Sequence, residues 1–360
     1  MAFNKTRLLW ARFRWWYDRH RKFFWSICSL VVIVLGGAIT TFFALQNARP
    51  IATVKKVETA KTIKKYYSPL TGEPVANEAA TKEAVTGVMI ENSPDARPQS
   101  GIKAGGVIFE AIAEAGITRF LVLYQQEKPQ IIGPVRSLRI YDIDWLAAFD
   151  ASIAHVGGSA AALAEIRDGN YRDLDQFFNG DSFWRASDRY APHNVYTSFK
   201  LLDALNSSKG YTTSTFTGFS RTDGKPSKNP NATNINIDIS SSLYNSSYIY
   251  DTKTNTYARS QDGSPHIDRE MGQITPSVVV AIRVDETTVL QDGYRESITT
   301  IGSGPATIFQ NGTATTATWH KASQLGQLYF TDSKGNNIPL IRGQTWIVAV
   351  PNNGGGVSWT

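Results

Sequence analysis

From Phe23 to Leu45 the chain carries no charge and is rich in Val, Ile, Leu and Phe. As a helix rising 1.5 Å per residue the run is about 34 Å long, enough to cross a bilayer. A buried soluble helix of that length would need a polar face. The polar residues here, Ser26, Ser29, Thr40 and Thr41, are small hydroxyls that can bond their own backbone. The run predicts a transmembrane helix over 23–45, with the membrane as a partner.

Charge sets the expected orientation. The formal charge is +6, and residues 1–22 carry Lys5, Arg7, Arg12, Arg14, Arg19, Arg21 and Lys22 against Asp18 alone. These charges abut the span, with Trp15, Trp16 and Tyr17 as interfacial anchors, so 1–22 is read as a cytoplasmic basic tail and 46–360 as extracytoplasmic. A second basic run, Arg49 to Lys65, opposes this bias from farther away; it places a basic, flexible stalk at 46–67. No convincing small-x-small site follows the span, so an uncleaved signal anchor is expected. Residues 68–360 hold 24 basic and 29 acidic side chains, which argues against a nucleic-acid-binding domain. The single cysteine, Cys28, lies inside the apolar run, which leaves no disulfide, zinc-thiolate or cysteine-nucleophile chemistry outside it.

Beyond the stalk the pattern changes twice. In 68–208, Val85–Ile90 and Val107–Gln125 are strand-like, the latter folded at Gly116, and Leu138, Tyr141, Trp145 and Phe149 recur at helical spacing. Ser152–Val156 reads as a strand feeding Gly157-Gly158-Ser159 into a helix at Ala160–Arg167, and a last helix covers Thr197–Leu205. This is an α/β (or α+β) layer domain. Residues 209–245 are a Ser/Thr/Asn-rich connection in which Asn234–Ile239 alternates at period two. From 246 to 360 short strands at 248–250, 255–257, 278–284, 307–309, 327–330 and 345–350 predict a mainly β domain. Gly302-Ser303-Gly304 reads as a turn, and Trp319 and Trp346 as core anchors.

A family resemblance rests on several runs: Ser68-Pro69-Leu70-Thr71-Gly72, Arg97-Pro98-Gln99-Ser100-Gly101, Glu110, Gly116–Phe120, Gly133–Arg139, His155–Ser159 and Ala191-Pro192-His193-Asn194. Tyr257, Arg259, Pro265-His266, Asp268, Gly302–Gly304, Trp319 and Gly343–Trp346 extend it through the second half. The chain resembles the YerB-like family of bacterial extracytoplasmic proteins over nearly all of 68–351. The resemblance implies two domains of unknown function, commonly carried by membrane-attached lipoproteins of bacteria with Gram-positive-type envelopes. This chain departs in having a signal anchor in place of a lipid-modified cysteine, and in Glu91 and Gly106 where the family leads one to expect Asp. The architecture is also similar to that of the LytR-CpsA-Psr wall-polymer transferases, without their acidic and arginine motifs in order.

Candidate chemistry follows from residue type. Arg136, Ser137 and Arg139 precede a helix, where guanidinium forks and free backbone N–H groups suit an anion, and Arg97 and Arg119 could join them. Internal pairing with Asp142, Asp144, Glu110 or Glu114 would serve equally. Gly157, Gly158 and Ser159 could approach a phosphate or simply form a capped turn. His193 follows Pro192 and precedes Asn194; it is an acid/base or metal-ligand candidate with His155 and Glu110 as partners, or a structural histidine. Glu110 and Glu114 share a face of a strand about 13 Å apart, too far for a glycosidase pair. In the second domain Arg259 is a further binding candidate, and His266 and Asp268 could reach across to the first. No metal-ligand spacing, Gly-x-Ser-x-Gly elbow, P-loop or dinucleotide fingerprint occurs, so no metal is expected and the sequence names no particular cofactor. The expected function is binding of a phosphate- or carboxylate-bearing wall ligand through Arg136 and Arg139. The alternatives are an envelope hydrolase or transferase using His193 or His155 with Glu110, and a scaffold for other envelope proteins.

Overall fold

The uncharged run lies within one helix of this computed structural model, which describes residues 3–47, 64–289 and 295–360. Helix α1 covers Phe3–Arg19 and α2 covers Arg21–Asn47. Within α2, Arg21–Gln46 is long and apolar enough to cross a membrane. Its hydroxyls bond their own backbone as expected: Ser26 donates to the Lys22 carbonyl, Thr40 to Gly36 and Thr41 to Gly37. Most of the stalk expected at 46–67 falls outside the described residues. The chain divides into two units, Met1–Ile63 and Lys64–Thr360.

In the second unit, largely apolar central strands make a sheet buried on both faces. Its strands are β1 (Thr86–Glu91), β2 (Val107–Glu114), β3 (Ile117–Tyr124), β4 (Ser152–His155) and β5 (Arg172–Asp175) from the first half. A second sheet uses β6 (Asn234–Asp238), β7 (Ser246–Asp251) and β8 (Thr256–Gln261). The second half returns to the first sheet with β9 (Val278–Val284), the hairpin β10 (Glu286–Val289) and β11 (Arg295–Ile298), β12 (Gly302–Gln310), β13 (Thr313–Lys321), β14 (Tyr329–Thr331) and β15 (Thr345–Pro351). Finally β16 (Gly356–Trp359) joins the second sheet beside β6.

The order in the large sheet is β14-β13-β12-β9-β15-β2-β3-β1-β4-β5, with the β10–β11 hairpin attached at β2. Strand β15, from the end of the chain, runs parallel to β2 and pairs Trp346 with Ile108. The mixed α/β half and the β-rich half are therefore stitched into one sheet. Helices α3 (Ile140–Ala147) and α4 (Ala160–Asp168) bury Trp145, Leu146 and Ile166 on one face. Helix α5 (Phe199–Ser208) and the alternating strands β6 to β8 bury Phe199, Ile235, Ile237 and Tyr248 on the other.

Two expectations change. Gly302-Ser303-Gly304 is not a turn but the start of β12, paired with Trp319 to Lys321 of β13; neighbouring strands override the turn propensity of its glycines. Glu110 and Glu114 do not share a face. The β2–β3 register shifts between Ile112 and Glu114, and an added residue reverses the inward/outward alternation.

Candidate functional site

Three parallel strands end together: β1 at Glu91, β4 at His155 and β5 at Asp175. The carboxyl edge of parallel strands is where open α/β sheets place their ligands, because crossover loops there are free to vary. The backbone of Arg136 is threaded into this edge, its N–H donating to the Met89 carbonyl and its carbonyl accepting from Val156.

Glu91 is the hub. Its side chain is only 4% exposed, and its two oxygens serve different neighbours. Oε1 accepts from Ser93 Oγ at 2.9 Å and lies 2.9 Å from His193 Nδ1. Oε2 stands 3.3 Å from Arg136 Nε without hydrogen-bond alignment, and both atoms are buried without a hydrogen-bond partner. Burial lowers the pKa of Arg136, against the opposing pull of Glu91.

On the far side of the His193 ring a cavity of about 700 Å³ is lined by Asp95, Arg97, Asp188, Arg189, Tyr190, His193 and Arg269, with Pro98 and Ala191. The arginines are pre-positioned. Arg189 donates to the carbonyls of Asp95 and Pro98, Arg97 to those of Asn92 and Leu243, and Arg269 to Asp188. His193 Nε2 faces this space with Asp95 Oδ2 at 3.9 Å.

Behind the site runs a buried polar chain. Gln99 donates to the Glu91 carbonyl and to Asn92, and its Oε1 accepts from His266 Nε2 at 3.0 Å. Arg259 donates to His266 Nδ1 and, at 2.8 Å, to Glu110 Oε2, which also accepts from Trp346 Nε1. Burial, then the Arg259 charge, holds His266 well below the ordinary histidine range, consistent with an accepting Nδ1. Asp268 accepts from the backbone N–H of Lys103. His266 and Asp268 thus reach the first half as the sequence suggests, but as braces.

The other candidates divide by what already occupies them. Arg139 and Arg119 clamp Glu114 at 2.6 and 3.0 Å, and both are almost completely buried. Burial would raise the Glu114 pKa, but the two guanidiniums outweigh it and hold it at about 2. Arg139 therefore offers no free fork to a ligand, and Arg136, paired through Nε with the buried Glu91, does not line the cavity. Ser137 contributes its carbonyl to Arg119. At the glycine turn the position of an anion is filled by the protein: Asp175 accepts from the Gly157 N–H and pairs with Arg167. Gly158 packs its backbone against Leu138, and Ser159 caps α4 by accepting from Ala162. His155 is fully buried between the Gly157 carbonyl and Asp173, and Asn194 between Arg185 and the carbonyls of Ala186 and Arg189. Glu110 and Arg259 are both fully buried, so neither Glu110 nor His155 can act as the partner of His193. That partner is Glu91.

Sequence reading missed Glu91, Ser93, Asp95, Asp188, Arg189 and Arg269 as site residues. Glu91 carried two usable signals, a carboxylate closing a largely apolar strand and a place where the family resemblance leads one to expect Asp; the others meet only through loop packing.

Models of the N-terminal and C-terminal domains of a protein of unknown function, DUF3048, match residues 70–212 and 235–347. The chain belongs to this two-domain YerB-like family. It is 31% identical over 336 residues to the "Putative lipoprotein YerB" of Bacillus subtilis (strain 168), covering 91% of this chain and 95% of that one. The crystal structure of the B. subtilis YerB protein superposes with a TM-score of 0.72 at 30% identity, spanning 82% of this chain and all of the other. The mixed first half and β-rich second half described above are thus the YerB-like pair of domains.

Proposed function

We propose that the chain is a single-span envelope protein, its N-terminus cytoplasmic, whose outer unit binds a singly charged phosphate- or carboxylate-bearing ligand in the cavity beside His193. The observation that carries this is the lining itself: Arg97, Arg189 and Arg269 converge on one space against Asp95 and Asp188, with an imidazole edge between them. Three guanidiniums against two carboxylates leave one positive charge, which complements a monoanion. Arg189 and Arg97 are held by carbonyl oxygens, so little conformational entropy is lost when a ligand arrives. Of the two arginines expected from sequence, Arg139 is taken up by Glu114 and Arg136 pairs with Glu91 behind His193. The apolar helix, the basic tail and the likeness to a lipoprotein support the membrane address.

Thermal unfolding of the full chain in detergent, with dialkyl phosphates and wall fragments, tests the site. At about a hundred times Kd a ligand adds roughly 2.7 kcal/mol of stability. The gain is expected to shrink in Arg269→Ala, whose guanidinium is half exposed; equal gains in both proteins would remove the cavity from the proposal. For orientation, a C-terminal tag is expected to be cut by protease added to intact wall-stripped cells. A protected tag would reverse the topology.

A further inference from the structure

The geometry points to a catalytic site in the same cavity: His193 as a general base and acid that hydrolyses a phosphodiester, positioned by Glu91. This inference rests on the anion-binding reading and adds a reaction to it.

Two features separate His193 from a structural histidine. Its Nδ1 is tied to a carboxylate that is itself buried and held, since Glu91 Oε1 also accepts from Ser93 and the Glu91 backbone carbonyl accepts from Gln99. An Nδ1–H donated to Glu91 leaves the Nε2 lone pair turned toward the cavity, where it makes no hydrogen bond among the described residues. A carboxylate behind an imidazole fixes its tautomer and stabilises the imidazolium that forms during proton transfer. The second feature is independent: Glu91 Oε2 and Arg136 Nε face each other as a buried 3.3 Å ion pair, and neither has a hydrogen-bond partner among the described residues. Ser93 lies 3.3 Å from Nδ1, on the carboxylate side of the ring, so it serves to hold Glu91 and is not placed as a nucleophile.

The step balances with water alone. His193 Nε2 takes a proton from water as the water oxygen bonds to phosphorus. The bond from phosphorus to the leaving oxygen breaks, and the imidazolium returns its proton to that alkoxide. The products are a phosphomonoester bearing the remaining water proton and an alcohol, with the imidazole regenerated. Arg97 and Arg269 face the non-bridging oxygens, where charge is held through the transition state.

The experiment uses the full chain in detergent with bis(p-nitrophenyl) phosphate, following nitrophenolate release, and with dimethyl phosphate as a calorimetric binding probe. Release above buffer is expected, lowered roughly 10²–10⁴-fold in His193→Asn while binding persists. Glu91 acts through His193, so Glu91→Gln is expected to lower kcat more than it changes KM and to displace the pH profile, with Glu91→Asp restoring part of the rate. Unfolding midpoints identify any variant that fails to fold, and His193→Asn, on a partly exposed ring, keeps the test available. Binding without release by the native chain, or release unchanged in His193→Asn, overturns the catalytic assignment and leaves the binding reading intact. Failure of both binding and release overturns both.

Discussion

Asp142 and Glu114 lie in the same arginine cluster and are driven in opposite directions. Asp142 is buried on the first turn of α3, and that burial raises its pKa to about 7, although it accepts from the Arg139 N–H. A carboxyl whose folded value lies above the ordinary one, about 3.9, has its full stabilising effect below that ordinary value. Stability then falls as pH rises toward 7. Glu114, held at about 2, contributes above its ordinary value and loses that contribution only as the solution becomes strongly acidic. Asp142→Asn keeps an oxygen for the Arg139 N–H and removes the titration. Relative to the native chain, the variant is expected to gain stability steadily between about pH 4 and pH 7. Urea unfolding at several pH values measures this, and a pH-independent difference would refute it. The same desolvation reasoning explains Arg259 and Glu110, where the mutual charge and the bonds of Arg259 to Tyr248, Gln261 and His266 and of Glu110 to Thr118 and Trp346 make burial tolerable.

At the scale of elements, the glycine turn before α4 illustrates how a sequence motif for an anion site can be satisfied from within. Gly157 has φ of 59°, and its N–H meets the Asp175 carboxylate, while Ser159 supplies the cap of the helix. Replacing Ser159 by Ala is therefore expected to cost about 1 kcal/mol of stability, within the usual range for a lost N-cap. Anion binding should be unaffected; reduced binding with unchanged stability would return the turn to the candidate site. The β2–β3 hairpin makes a related point. Ala115 and Gly116 both have positive φ, the geometry of a two-residue turn that matches strand twist. The register shift just before it sends Glu114 to the arginines while Glu110 stays with Arg259. Residue identity announced the turn at Gly116, but not the shift, because an extra residue in a ladder exists only relative to its partner strand.

For the second unit as a whole, the stitching of β15 to β2 and of Arg259 to Glu110 argues against two independently stable domains. Residues 64–360 are expected to unfold in one transition, with calorimetric and van't Hoff enthalpies agreeing. Two separated transitions would contradict that. The first half expressed alone would expose the β2 edge and leave Glu110 without its cation, and is expected to be soluble only in poorly folded form.

Local chemistry was enough to define the long apolar helix, most strands and helices of the second unit, the change from mixed to β-rich structure, and the family. Each depends on hydrophobic period, chain length or contiguous motifs, which are properties of neighbours in sequence. His193 and Arg97 could be suspected for the same reason. Tertiary structure alone decided that Arg139, Arg119, His155, Glu110 and Arg259 are spent on internal partners, and that Glu91, Arg189 and Arg269 meet His193. A charged side chain is available to a ligand only if no buried counter-charge claims it. For Arg139 and Arg259 that counter-charge is a glutamate 25 and 149 positions away, a pairing that strand register and sheet order create.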